Sequence, residues 1–215
     1  MQSLGNPFHI HLLGDHAILI KLSKGLNGGI DRDLLALAAF IKEQKIQGVK
    51  DIILAYDNLT LVYDILDFDS NPYLYVNQLV ANFIAEASNH NALNSASRLI
   101  EVPVCYDPSL GIDLEAAAKI ANCNIEALIQ EHTAHIYTVY CLGFLPGFAY
   151  MGDVPKKIQL PRHPQPRATV VAGSVGIAGK QTGIYPTDSP GGWQIIGRTP
   201  LKIFDAIKLS LFKAG

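Results

Sequence analysis

Between Val154 and Thr187 the chain carries Lys156, Lys157, Arg162, Arg167 and Lys180 and no acidic residue. Arg162 and Arg167 lie in "PRHPQPR", where prolines restrict the backbone before any ligand arrives. A planar guanidinium grips a carboxylate or a phosphate with two parallel hydrogen bonds, so both are candidates for holding an anion. Such a local cationic zone, in a chain of net charge -2, points to an anionic ligand. A solvated basic rim accounts equally well for the two adjacent lysines. Arg198, in "IIGRTPLKIF", is a third candidate, with a structural ion pair as its alternative. Ser174, Gln181, Thr182 and Tyr185 add neutral hydrogen-bonding groups that could orient a lactam, an amide or an acyl phosphate. Turn-stabilising bonds explain Ser174 and Thr182 equally well.

The neutral groups sit in a glycine-rich run, "AGSVGIAGKQTGIYPTDSPGGW", residues 172–193. It is not a phosphate loop: Ser174 stands at the first glycine position, Gln181 replaces the Ser/Thr, and "TGIYP" cannot open a helix. Gly173, Gly176 and Gly179 repeat every third residue, which is not a dinucleotide fingerprint either. The glycines are therefore expected at tight barrel corners or where backbone or ligand approaches closely. Trp193, at the end of the run, covers a glycine turn, lines a pocket or packs in the core, the last being its commonest use. His132 falls on the apolar face of a short helix with Ile125, Leu128 and Ile129; a buried histidine bonded to backbone is expected, with interface acid–base work as the alternative. His132 and His135 lack further ligands for a metal. Cys141 would need an adjacent base to act as a nucleophile. Phe144, Phe148 and Tyr150 in "GFLPGFAY" suit core or subunit contact. No catalytic residue is assigned.

The elements that must position these residues follow from hydrophobic periodicity. "FHIHLL" and "HAILIKL" read as strands, and "DRDLLALAAFIKEQKI" as a helix with Leu34, Leu37, Ala38 and Ile41 on one face and Asp31 as cap. "VKDIILAY" and "LTLVYDIL" are strands joined by a tight "DN" turn. "NPYLYVNQLVANFIAEAS" is a helix with Asn71 as N-cap and Pro72 at its first position. "RLIEVPVCY" is strand-like and fits either half of the chain. A strand-helix-strand-strand-helix-strand order suggests a ferredoxin-like α+β domain, placed at 1–95. The polar, turn-rich "SNHNALNSASR" is the linker candidate. Beyond it, two short helices in "LEAAAKIA" and "IEALIQEH" precede many short strands ("ATVVA", "WQIIG", "LKIF") rich in Gly and Pro. A mainly-β barrel or sandwich domain is expected over 96–215.

Composition narrows the function classes. The chain has 215 residues, 49% hydrophobic and 17% charged, enough for a sizeable core. Net charge and patterning show no nucleic-acid or membrane footprint. No secretory leader or membrane span is read, and three cysteines without a CxxC pair fit reduced thiols; a cytoplasmic protein is expected.

"YDPSLGIDLEAAAKIA", "GFLPGFAYMG" and "LPRHPQPRATVVAGSVGIAGKQTGIYPTDSPGGWQIIGRTPLKIFD" together resemble the allophanate hydrolase subunit 1 / carboxyltransferase subdomain C–D family. The match runs from Cys105 to Asp205, with looser agreement in "GDHAILI" and "YDNLTLVYD". Met151 and Asp153 depart from the usual "LGGLD". The resemblance implies a cyclophilin-like barrel after a ferredoxin-like domain. It also implies a site shared with a homologous subunit-2 (C-type) chain, in a complex that includes an A-type chain. Family members act in ATP-dependent opening of 5-oxoproline to glutamate or in carboxyl transfer from carboxybiotin to urea; one branch, KipI-like, inhibits a sensor histidine kinase. ATP would be used by the complex, and no biotin, metal or ATP site is read in this chain. The isolated chain is expected to be inactive.

Overall fold

The computed structural model describes residues 8–23, 32–68, 70–87, 98–205 and 209–210. The chain divides into two compact units, Met1–Ser97 and Arg98–Gly215. Mixed helix and antiparallel sheet is the class throughout.

In the amino-terminal unit, β1 (Phe8–Leu12), β2 (Ala17–Leu22), α1 (Arg32–Glu43), β3 (Val49–Ala55), β4 (Asn58–Tyr63) and α2 (Pro72–Ala87) follow in order. The four strands form one antiparallel sheet, ordered β1-β2-β4-β3. Ile18, Ile20, Leu59 and Leu61 face a core shared with Leu34, Leu37 and Ile41 of α1 and Val76, Leu79 and Val80 of α2. The helical face expected from period 3.6 is the buried one. Asn71 caps α2, its Oδ1 accepting the Tyr73 N–H at 3.0 Å. Asp31 and most of the linker candidate lie outside the described residues.

Two expectations need correction. The hairpin turn falls on Tyr56–Asp57, because Ala55 pairs with Asn58; Tyr56 takes the left-handed φ of +51° that this two-residue turn demands. "RLIEVPVCY" is no strand of this sheet. Pro103 cannot donate to a ladder, and only Cys105 makes a bridge, to Arg198 of the other unit's own sheet. The edge beside β2 is taken by β1.

The carboxy-terminal unit opens with α3 (Leu114–Ile120) and α4 (Ile125–Thr133), the latter capped by Asn124, whose Oδ1 accepts the Ala127 N–H at 2.8 Å. The strands are β5 (Thr138–Leu142), β6 (Ala149–Gly152), β7 (Arg167–Val170), β8 (Ser174–Ala178), β9 (Gln181–Ile184), β10 (Ser189–Gly191), β11 (Gln194–Arg198), β12 (Phe204–Asp205) and β13 (Leu209–Ser210). Five of them form an antiparallel sheet ordered β11-β8-β9-β6-β5, while β10-β7 and β12-β13 are two-stranded ribbons. Among the described residues this pairing does not close into a barrel: β11 and β5 remain the sheet's edges.

Side-chain alternation splits the sheet's residues between two cores. Val175, Ile177, Ile184 and Ile196 join α3 and α4 in one. Ala178, Tyr185, Trp193 and Ile195 join Phe148 and Val170 in the other. The glycine-rich run is thus largely the β8–β9 hairpin, not a loop.

Candidate functional site

The hairpin explains the glycines. Gly176 and Gly183 are register partners on β8 and β9. A Cβ on Gly183 would stand 3.1 Å from both the Trp193 ring and the Phe148 ring, and one on Gly176 would stand 3.1 Å from Trp193 Cβ. The paired glycines make room for the indole, which is 4% exposed and edge-on to Phe148, Tyr150 and Tyr185. Phe144 is exposed and meets Phe148 and Tyr185 edge-on.

Asp113 organises the polar side of this aromatic core. It precedes α3 but makes no side-chain cap bond to it. Its main-chain N–H donates to the Ile195 carbonyl (2.8 Å), and its Oδ2 accepts the Ile195 N–H (2.7 Å). One residue thereby satisfies both backbone groups of Ile195 on the edge strand β11. Gly111 permits the approach, since a Cβ there would overlap the Ile196 carbonyl. The other oxygen, Oδ1, accepts from Arg167 Nη2, and Arg167 Nη1 donates to the Trp193 carbonyl at 3.4 Å. His163 Nε2 lies 3.3 Å from the same Oδ1 in the ion-pair range, yet out of hydrogen-bond alignment. Asp113 is 5% exposed, so its carboxyl group is partnered by Arg167 and the Ile195 amide, not by water.

Arg162 differs from Arg167. Its guanidinium carbon is 5.8 Å from the Trp193 ring centre, within cation–π range. The segment that carries it is pinned on both sides. Gln194 Nε2 donates to the Pro161 carbonyl (2.9 Å), and the His163 N–H donates to the Gly192 carbonyl (2.7 Å). Burial pushes the Tyr150 and Tyr185 hydroxyls up, and the Arg162 charge opposes that rise at both.

The expected site residues therefore separate. Arg162, Arg167 and Tyr185 gather around Trp193, with Asp113 and His163 joining them. His132 and Thr182 lie on the other side of the sheet: Thr182 alternates with Gly183 and Tyr185 and pairs with Ile177. Thr182 Oγ1 donates to the Gly176 carbonyl (3.1 Å), so it accepts from His132 Nε2 (2.9 Å). His132 Nδ1 then accepts from the Tyr106 hydroxyl (2.9 Å). His132 is buried as expected, but side chains hold it, not backbone. Burial lowers its pKa to about 4, with His135 contributing, and raises that of Tyr106 to about 12. Ser174 and Arg198 are register partners at one end of β8 and β11. Arg198 Nε is buried without a hydrogen-bond partner among the described residues. Gln181 opens β9, half-buried. Cys141 is buried in β5.

Asp113 and His163 escaped the sequence reading. Asp113 stands where an ordinary N-cap would, and a lone histidine between two arginines carries no spacing signal of its own. No group of three His, Cys, Asp or Glu side chains suited to a metal occurs among the described residues. No helix among them is long and apolar enough to cross a membrane. The Gly179–Lys180 turn joins two strands, so it offers no helix N-terminus to a nucleotide phosphate.

The family model described as carboxyltransferase domain, subdomain C and D, matches residues 8–211. The chain belongs to that family. It is 41% identical to the 5-oxoprolinase B subunit of Bacillus subtilis (strain 168) over 204 residues, covering 92% of this chain and 84% of the relative. Identity to the protein of the same name from Haemophilus influenzae is 38%, covering 90% and 86%. The crystal structure of TTHA0988 superposes with a TM-score of 0.76 at 33% identity; the match covers 93% of this chain but only 38% of that longer one. The Kluyveromyces lactis urea carboxylase shares the fold alone, with a TM-score of 0.65 at 16% identity over 19% of its length.

Proposed function

We propose that this chain is the B subunit of a cytoplasmic ATP-dependent 5-oxoprolinase. The complex converts 5-oxo-L-proline, ATP and water to L-glutamate, ADP and phosphate. The observation that carries this reading is identity of 33–41% to proteins named as the B subunit of 5-oxoprolinase, over about nine-tenths of the chain. The surroundings of Trp193 agree with it. Arg167 is paired there with the buried Asp113 carboxylate, while Arg162 stands over the Trp193 ring with no ion pair among the described residues, a cation suited to an anionic lactam.

A homologous C-type chain completes the site and an A-type chain accompanies it, so the isolated B subunit is inactive. The amino-terminal sheet order matches a ferredoxin-like domain in which β1 replaces the closing strand, and the second unit is a cyclophilin-like domain. The first reading is supported by the strand order, and the second rests on the family resemblance.

The test is ATP-dependent release of glutamate from 5-oxoproline by the purified partner chains, with this chain present and then omitted. Release that requires the chain supports the reading. Silence from folded, assembled partners would sink it and direct attention to urea carboxylation or kinase inhibition.

A further inference from the structure

We infer that Arg162 is the residue through which this chain holds the carboxylate of the substrate, and that Arg167 only positions the site around it. The inference rests on the 5-oxoprolinase reading and adds the group that selects an anionic lactam.

The two arginines look alike in sequence and are made unlike by the fold. Arg167 is engaged on both sides, by the Asp113 carboxylate and the Trp193 carbonyl. Two of its five donors are thereby committed and its charge is compensated by Asp113, so Arg167 has less to offer an incoming anion than an unpaired arginine. Arg162 is exposed and makes no ion pair among the described residues. It is also restrained. The backbone hydrogen bonds at Pro161 and His163 bracket it, prolines precede and follow it closely, and the Trp193 face lies beneath it. A free cation on a fixed backbone loses little entropy when it captures a ligand. Asp113, the acid that approaches this segment at His163, is already engaged by Arg167 and the Ile195 amide.

A carboxylate suits this arrangement better than a nucleotide phosphate chain. One planar fork matches one carboxylate. Polyphosphates are held by helix N-termini and glycine loops, whereas this segment leads into the ribbon strand β7.

The experiment uses the reconstituted complex with wild-type chain, Arg162→Ala and Arg162→Lys. Assembly is followed by native mass, and KM is measured separately for 5-oxoproline and ATP. Arg162→Ala should raise the KM for 5-oxoproline about 10- to 100-fold, the loss expected for one charge-assisted contact, with the KM for ATP and assembly unchanged. Arg162→Lys, keeping the charge but not the fork, should fall between. An unchanged KM for 5-oxoproline overturns the assignment. So does a rise confined to ATP, which would make the anion a phosphate, or a loss of assembly, which would make Arg162 an interface residue. Absence of turnover in the wild-type complex refutes the 5-oxoprolinase reading and this inference with it; turnover that ignores Arg162 refutes the inference alone.

Discussion

At the scale of single residues, buried polar groups set the measurable behaviour. His132 is neutral in the fold, its pKa moved from 6.5 to about 4 by burial first and by His135 second. The unfolded chain therefore binds the extra proton at higher pH than the folded one. Stability is complete above pH 6.5 and falls as the pH drops toward 4, by roughly 3 kcal/mol at most. Urea midpoints between pH 4 and 7 check this: His132→Gln should lose most of the acid sensitivity of the wild type, and equal pH slopes for the two would refute the account. Gly183→Ala tests the other local claim. The added methyl must displace the Ala149 carbonyl at 2.9 Å or the rings of Phe148 and Trp193 at 3.1 Å. A loss of about 1–3 kcal/mol follows from overpacking, and emission from the single tryptophan should shift. A stable variant with native emission would show that the indole does not need the glycine.

At the scale of elements, most of the framework was legible. Period 3.6 located α1 and its buried face; alternation located β1, and short apolar or β-branched runs located β2 and β11; Asn71–Pro72 marked the start of α2. What escaped were pairings between distant segments. Nothing local says that β1 replaces "RLIEVPVCY" at the sheet edge, although Pro103 is a reason against that strand. Nothing local says that Asp113 turns from α3 to serve β11, because an acid ahead of a helix reads as a cap. The Asp113–Arg167 pair can be weighed by a double-mutant cycle. Asp113→Ala should cost about 3 kcal/mol, since it strips Ile195 of a partner and leaves Arg167 uncompensated. Arg167→Ala, with a side chain 27% exposed, should cost nearer ~2 kcal/mol. The double variant should cost clearly less than the sum. Additive losses would mean that the two side chains stabilise the fold independently.

At the scale of the whole molecule, each unit has its own core: one cluster spanning Phe8 to Val80, and two within Leu114 to Ile203. Every residue of the candidate site belongs to Arg98–Gly215. The two longer helices, of 12 and 16 residues, belong to the amino-terminal unit, and those of 7 and 9 residues to the other. Ellipticity at 222 nm is therefore weighted toward the first unit, while Trp193 fluorescence reads only the second. Separate cores favour separate cooperative transitions, because all-or-none unfolding is a property of a single domain. In urea the two signals should trace transitions with different midpoints, and Gly183→Ala should move the fluorescence midpoint while leaving the main ellipticity change in place. Superimposable curves that shift together would show that the units unfold as one body. A mutation beside Trp193 would then have to be judged against the stability of the entire chain, and the site could not be treated as a property of the second unit alone.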